Sequence, residues 1–167
     1  MKNSHNAKRH KKGNKKIRNA TESEIDGIKF RSKLESFTYL KLKENGIHDF
    51  DYEKHKFTLL ESFEYNMDSY ESFSKQDRET KDKSIGFNKC SNKIRGITYK
   101  PDFVCIKEDK TGWIIEDKGF ATDTFNNKWK TFKKFLVDNG YKVDLYLPNT
   151  QKNVIKTIEL IKNKYYV

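Results

Sequence analysis

The sequence predicts an α/β domain whose mixed central sheet is flanked by helices. Residues 103–107 and 113–117 carry apolar side chains on both faces, which is typical of central strands that are covered on each side. Residues 125–138 show a helical apolar period and residues 141–147 alternate as a strand, an order typical of a parallel crossover. At 167 residues the chain is long enough for one domain with one core.

The first helix is predicted over about residues 30–45, where apolar residues recur at spacings of three and four. Ser32 and Glu35 form a capping-box pattern at its start, and Gly46 can end it. On a helical wheel Glu35 falls beside the apolar face of this helix. Its carboxylate could therefore look toward a cleft.

The remaining elements follow from alternation, helical period and turn residues. Residues 55–65 alternate and predict a strand, whereas residues 66–95 are polar and irregular and predict a long loop or an insertion. The two central strands are joined by "EDKTG", in which Gly112 is placed for a positive φ angle. Asn139 and Gly140 end the second helix, and a last helix is predicted over about residues 150–164.

The charge of the chain indicates a polyanionic partner, since its formal net charge is +11. The first 20 positions hold no acid and many basic residues, so we predict that residues 1–22 form a disordered basic arm. Such an arm adds affinity for DNA phosphates without sequence choice, and a solubilising tail is the alternative. The candidate phosphate contacts in the arm are Lys8, Arg9, Lys11, Lys12, Lys15 and Lys16.

Other classes of protein are disfavoured by what the sequence lacks. It has no apolar run long enough to span a bilayer and no signal-peptide core, so we expect a soluble, cytoplasmic protein without a membrane partner. Its two cysteines, Cys90 and Cys105, have no metal-binding spacing and predict neither a zinc module nor a disulfide. A small-molecule cofactor is not expected.

The central hairpin carries the strongest chemical signal. We expect Lys107 to pair with Trp113 across the two strands. Asp102 then lies opposite Lys118, and Glu116 is a diagonal neighbour of Asp102 on the same face. Two such carboxylates in a covered cleft repel each other, and a bound Mg²⁺ relieves the repulsion. The alternative is an ordinary cross-strand ion pair on a solvated face.

The hairpin resembles the PD-(D/E)XK signature of magnesium-dependent nucleases, with Pro101 and Asp102 followed after a spacer by Glu116, Asp117 and Lys118. The predicted order of elements is similar to the restriction-endonuclease-like core (α-β-β-β-α-β) of that superfamily, with an added C-terminal helix. The segments "DGIKFRSKLE", "YKPDF", "EDKG" and "KWKTF" occur in the order seen in an uncharacterised phage nuclease family of the superfamily. The arrangement "RSKLE", "YKPDF" and "EDKG" is also similar to that of phage endonuclease I, a Holliday junction resolvase, and of the end-cleaving subunit of some heteromeric transposases.

The resemblance implies a nuclease domain over residues 23–167 that hydrolyses DNA with Mg²⁺, or with Mn²⁺ as a substitute. It implies a phage-encoded homodimer that acts on branched DNA in the host cytoplasm. Asp102, Glu116 and Glu35 would be metal ligands, together with Asp117 through its backbone carbonyl, and Lys118 would be the catalytic lysine. Either Glu116 or Asp117 could supply the liganding side chain, and strand pleating favours Glu116 because it shares the face of Lys118.

Three further basic residues are candidate DNA contacts. Arg31 lies within "RSKLE", and Lys128 and Lys130 match basic positions on the second helix. For the two lysines a solvated helix face is the alternative. For the whole chain, the alternative function is a nucleic-acid-binding protein or nuclease subunit without catalysis of its own.

Overall fold

The computed structural model describes residues 22–80 and 82–166. The predicted basic arm, except for its last residue, lies outside the described residues. The helices of the described part are α1 (Lys33–Glu44), α2 (Asp123–Asp138) and α3 (Gln151–Tyr165). Its strands are β1 (Ser23–Ile25), β2 (Ile28–Phe30), β3 (Asp51–Tyr52), β4 (Phe57–Leu60), β5 (Phe63–Glu64), β6 (Tyr70–Gln76), β7 (Lys83–Lys89), β8 (Lys93–Ile94), β9 (Ile97–Tyr99), β10 (Phe103–Ile106), β11 (Thr111–Ile115) and β12 (Lys142–Tyr146).

The central sheet has four strands in the order β12-β11-β10-β3. β10 is antiparallel to β11 and to β3, whereas β11 is parallel to β12. This arrangement confirms the predicted mixed sheet. β11 and β12 can be parallel because α2 lies between them in the sequence and provides the crossover connection that parallel strands need.

Helices cover both faces of the sheet, as predicted. Phe103 and Trp113 point to one face, where they pack in a core cluster with residues of α1 and α3. Val104 and Ile114 point to the other face and pack with residues of α2. All four side chains are almost completely buried, which explains why both strands read as continuous apolar runs. The described helices include none that is long and apolar enough to cross a membrane.

The first helix begins three residues later than predicted. Phe30 belongs to β2, which pairs with β1 in a short hairpin that the sequence analysis missed. Ser32 caps the helix as predicted, since its hydroxyl accepts a hydrogen bond from the backbone N–H of Glu35 (3.2 Å). Gly46 follows the C-cap with φ +75°, which fits its predicted role as the stop.

The predicted register of the central hairpin is wrong by two residues. Cys105, rather than Lys107, pairs with Trp113. The reason is the turn: the backbone N–H of Lys107 bonds the carbonyl of Thr111 (2.8 Å), so the loop is only three residues long. Lys110 takes the left-handed position of this turn with φ +63°, a role that the sequence analysis gave to Gly112.

Gly112 is required for a different reason. Its φ is +146°, and a Cβ there would lie 2.0 Å from the carbonyl oxygen of Cys105 on the neighbouring strand. Two neighbouring strands can approach this closely only where one of them lacks a side chain.

Of the two alternatives predicted for residues 66–95, a long loop or an insertion, the long irregular loop is wrong. β6 and β7 pair over seven residues each, from Tyr70 opposite Lys89 to Gln76 opposite Lys83. Most side chains of this ribbon are exposed on both faces, so the sequence shows no apolar alternation there. The strand predicted over residues 55–65 is interrupted between β4 and β5, and the β4–β9 pairing contains a register shift between Thr58 and Leu60.

Candidate functional site

Two acidic residues face each other at the end of the central hairpin. Asp102 immediately precedes β10 and Glu116 immediately follows β11. Because Phe103 pairs with Ile115, the register places Asp102 directly opposite Glu116 rather than at the predicted diagonal. Both residues are buried, with exposed fractions of 3% and 8%. The correction of the register therefore brings these two carboxylates closer together than the sequence indicated.

Asp102 is held by the backbone and by one cation. The backbone N–H of Asp117 donates to its Oδ2 (2.8 Å), and the guanidinium of Arg31 lies 3.3 Å from its Oδ1. Burial raises the pKa of Asp102 well above its usual value, and the negative charges of Glu116 and Glu35 add to the shift. The positively charged guanidinium of Arg31 does not offset these effects on the pKa.

Glu116 and Asp117 project to opposite sides of the sheet. Glu116 interacts with Tyr99 and Lys118 on the α2 side, whereas Asp117 lies near Thr38 of α1. Burial raises the pKa of Glu116, which Glu35 raises further and which Tyr99, Lys118 and Arg31 lower. The structure therefore agrees with the pleating argument that Glu116 shares the face of Lys118.

Asp117 is as deeply buried as Glu116, and 8% of each residue is exposed. Burial raises its pKa to about 7, and the charges of Glu35 and Glu116 add to the shift while the nearby Thr38 hydroxyl opposes it. Both of its side-chain oxygens, and Oε2 of Glu116, are buried without a hydrogen-bond partner. Unsatisfied buried carboxylate oxygens are costly, and binding of a proton or a cation would relieve that cost.

Glu35 is buried beside these acids and is positioned by the start of α1. Its Oε1 accepts a hydrogen bond from the Ser32 hydroxyl (2.8 Å). Its Oε2 accepts from the backbone N–H of Arg31 (3.1 Å) and from the Tyr52 hydroxyl (2.5 Å). Glu35 is therefore buried close enough to Asp102 to raise the pKa of that residue, and both oxygens of Glu35 already have partners in the protein.

Lys118 is half-buried and lies on the side of the sheet that α2 covers. Its ammonium nitrogen is 4.7 Å from the centroid of the Phe125 ring, close enough for a cation–π interaction. Its backbone N–H donates to the carbonyl of Pro148 (3.0 Å), which ties the segment after β11 to the end of β12. The charge of Lys118 lowers the pKa of Glu116, but the two side chains form no salt bridge in the described part of the chain.

Sequence reasoning missed Glu53. This residue forms an ion pair with Arg31 and lies 3.4 Å from the ammonium group of Lys100, while its own backbone N–H bonds the carbonyl of Asp102 (2.8 Å). Its φ of +49° is unusual for glutamate. No sequence pattern marks this conformation. Tyr99, by contrast, could have been found, since it lies in the segment "YKPDF" that carries Asp102.

The oxygen chemistry of the site fits a hard cation, because carboxylate and carbonyl oxygens are the ligands that Mg²⁺ prefers. On the side of Lys118, Oε2 of Glu116 is buried without another partner, whereas the two side-chain oxygens of Asp117 lie on the opposite side of the sheet. Within residues 22–80 and 82–166, however, no group of three or more acidic, histidine or cysteine side chains already converges on one point where a metal ion would fit. A cation here would complete its coordination with water and with oxygens of a substrate.

The other predicted DNA contacts are spread over the molecule. Arg31 lies at the carboxylate cluster, with 66% of its side chain exposed. Lys128 is half-buried and Lys130 is exposed on α2. The basic residues from Lys8 to Lys16 lie outside the described part of the chain.

The fold and this site define an α/β domain with a buried acidic cluster at one end of its central sheet. The chain matches, over residues 9–147, a family described as "Protein of unknown function (DUF1064)", and it therefore belongs to that family. The matched range includes Glu35, Asp102, Glu116 and Lys118. No curated protein and no solved structure shows a significant match.

Proposed function

We propose that this protein is a Mg²⁺-dependent endonuclease that hydrolyses DNA phosphodiester bonds, with branched DNA such as four-way junctions as its substrate. The observation that carries the proposal is the placement of Asp102 opposite Glu116, both buried, with Lys118 on the same side of the sheet. Buried acids that repel each other require either protons or a cation. A nuclease uses that cation at the phosphodiester.

The order of the elements supports a restriction-endonuclease-like core. α1, β3, β10, β11, α2 and β12 follow one another in the order α-β-β-β-α-β, and the four strands belong to one sheet. The hairpin β10–β11 would then present the nuclease motif at its open end. β6 and β7 would be an insertion into this core.

The residues that would hold the cation are Asp102, Glu116 and the backbone carbonyl of Asp117, with Glu35 as a nearby acid. When bound, Mg²⁺ lowers the pKa of a coordinated water and polarises the phosphate, and Mn²⁺ can replace it. Glu35 has both oxygens bonded to the protein, so it is better suited to orient a water molecule than to bind a cation directly.

Lys118 and Arg31 would act on the phosphate. Lys118 is steadied by the Phe125 ring and can direct its ammonium group at the negative charge that develops on the cleaved phosphate. Arg31 is largely exposed and joins Asp102 to Glu53, so it can exchange one carboxylate for a phosphate oxygen of the DNA. Lys128, Lys130 and the basic arm would add contacts to the DNA backbone.

The test is cleavage of linear, nicked, single-stranded and four-way-junction DNA in Mg²⁺, in Mn²⁺ and in EDTA, with cut sites mapped on each strand. We expect metal-dependent cutting that Lys118→Ala abolishes. Lys107→Ala, which removes an exposed lysine from the same hairpin, is the matched control and should cut normally. If no DNA is cut, or if Lys118→Ala cuts as well as Lys107→Ala, the proposal fails.

A second function, DNA binding without catalysis, is favoured by two observations. The described part of the chain contains no preformed group of three metal-binding side chains, and Arg31 already lies against Asp102. This alternative requires DNA affinity that falls steeply with salt and does not change between Mg²⁺ and EDTA at constant ionic strength. Affinity that rises specifically with Mg²⁺ excludes it.

The setting that we propose is a phage-encoded protein working on DNA in the cytoplasm of its host. The partner that we propose is DNA, bound by a homodimer so that two strands can be cut. Neither membranes nor small-molecule cofactors enter this scheme.

A further inference from the structure

The outer edges of the β6–β7 ribbon are paired with no further strand in the described part of the chain. Each strand has seven residues, and among the described residues the two strands pair only with each other. Neither strand contains proline. Such edges are templates for another strand unless the sequence prevents pairing.

The backbone groups that point outward from β6 can be assigned. Next to the ladder, the backbone N–H of Asp77 bonds the carbonyl of Asp82 (2.9 Å), and that of Cys90 bonds the carbonyl of Ser69 (2.8 Å). Hydrogen-bonded and non-hydrogen-bonded pairs alternate in an antiparallel ladder, so the odd-numbered residues of β6 direct their backbone groups to β7. The N–H and C=O groups of Ser72 and Ser74 therefore point to the outer edge.

The sequence of β6, "YESFSKQ", is charge-complementary to itself when it is read in the opposite direction. With Phe73 as the centre of a twofold axis, Glu71 of one copy lies opposite Lys75 of another, and Ser72 lies opposite Ser74. The outward N–H and C=O groups of Ser72 in one copy then form hydrogen bonds with those of Ser74 in the other copy. The two Glu71–Lys75 pairs fall at non-hydrogen-bonded positions, where opposite side chains come closest.

The sequence of β7, "KSIGFNK", gives the contrary result. An antiparallel pairing centred on Gly86 places Lys83 opposite Lys89, and like charges directly opposite each other destabilise a sheet. The charges thus favour the β6 edge and disfavour the β7 edge.

The charge of the ribbon also argues for a protein partner rather than DNA. Residues 70–89 contain five basic and four acidic residues, whereas the chain as a whole has a net charge of +11. Tyr70, Ile85 and Phe87 lie on one face of the ribbon with exposed fractions of 57%, 79% and 72%. A nearly neutral surface with exposed apolar side chains has little attraction for phosphates.

We propose that β6 pairs antiparallel with β6 of a second copy of this chain, about a twofold axis at Phe73. The product is a four-stranded sheet in the order β7-β6-β6-β7 that joins two domains. This surface is separate from the carboxylate cluster, so the proposal does not depend on the nuclease function. The contact is small, and we expect a weak dimer that forms at concentrations on the order of 10–200 µM.

Charge reversal tests the pairing directly. Glu71→Lys or Lys75→Glu alone places like charges opposite each other twice, and we expect the dissociation constant of the dimer to rise by roughly tenfold or more. The double variant Glu71→Lys/Lys75→Glu restores both pairs and should dimerise like wild type. Sedimentation equilibrium of the full chain over the stated concentrations measures all four proteins. A monomeric wild type, or a double variant as weak as the single variants, overturns the proposal.

A cysteine at the twofold axis locates the contact. In a Cys90→Ser background, Phe73→Cys should form a disulfide between two copies under mild oxidation, because the Cα atoms of opposite non-hydrogen-bonded residues lie about 4.5 Å apart. Ile85→Cys, on the exposed β7, is the matched control and should crosslink much less. Equal crosslinking at the two positions rejects the β6 edge.

Ser72→Pro separates pairing from folding. Its N–H points outward, so the ribbon can accept proline there, but the edge loses a hydrogen-bond donor. We expect a folded monomer with the circular dichroism and melting temperature of wild type. A dimer of unchanged affinity counts against the proposal.

Discussion

Asp102 and Glu116 face each other across the open end of the β10–β11 hairpin, and both are almost completely buried. Burial and, secondarily, the charge of Glu116 raise the pKa of Asp102, and burial raises that of Glu116. Neighbouring Asp117 has a pKa raised to about 7. Such a site destabilises the folded state at neutral pH, and binding of a proton or a cation removes this destabilisation.

The first prediction concerns stability in the absence of metal, which should decrease as the pH rises through neutrality. Asp117 has an ordinary pKa of 3.8 and a folded-state pKa of about 7, so the folded state binds its proton more tightly than the unfolded state does. Its contribution to stability is complete below about pH 4 and is lost as the pH rises through 7. Asp117→Asn should therefore stabilise the protein in EDTA at pH 8, by about 1–3 kcal/mol in urea unfolding.

The matched control for this prediction is Asp109→Asn in the exposed hairpin turn. The hydroxyl and backbone N–H of Thr111 lower the pKa of Asp109, so its charge favours the folded state and its removal should give no gain. A loss of stability in Asp117→Asn at pH 8 contradicts the account of the buried acids.

Mg²⁺ should stabilise the fold. A cation that binds only the folded state at ten times its dissociation constant adds about 1.4 kcal/mol to the free energy of unfolding. We expect a rise in melting temperature for wild type in Mg²⁺ relative to EDTA at matched ionic strength, and a reduced rise in Asp102→Asn. Glu108→Gln, on the exposed turn of the same hairpin, should respond like wild type. An equal rise in Asp102→Asn and wild type places the cation elsewhere.

The close approach at Gly112 makes a prediction about the fold alone. Gly112→Ala brings a Cβ to 2.0 Å from the Cys105 carbonyl and requires φ +146°, so one of the two central strands must move. We expect a loss of at least about 2 kcal/mol in the free energy of unfolding, or failure to fold. Gly119→Ala, where a Cβ meets no atom within 4 Å, is the control. Similar stabilities of the two variants would show that the strands are not packed as described.

The sequence predicted those elements whose burial leaves a pattern. Phe103 and Ile114 alternate between two covered faces, and the apolar period of α2 records its single buried stripe. The sequence of the β6–β7 ribbon shows no such pattern because both of its faces are exposed to solvent. Its strands are held by backbone hydrogen bonds, which almost any side chain permits.

The candidate site was predictable in composition but not in geometry. Asp102, Glu116 and Lys118 could be found because strand pleating fixes which side chains share a face. The register could not, since it depends on Lys110 adopting a left-handed conformation that glycine usually adopts. Glu53 lies at the site because its backbone adopts a positive φ and its carboxylate pairs with Arg31. Neither feature has a recognisable sequence pattern.

The proposed role of Glu116 is tested most directly by the rate of cleavage of a four-way junction by wild type and by Glu116→Gln, with enzyme in excess and Mg²⁺ present. Both proteins should bind the junction, because the substitution leaves the basic surface intact. A catalytic role for Glu116 requires metal-dependent cutting by wild type, and we expect a loss of rate on the order of a hundredfold or more in Glu116→Gln. Equal rates for the two proteins, or no cutting by wild type, would contradict it.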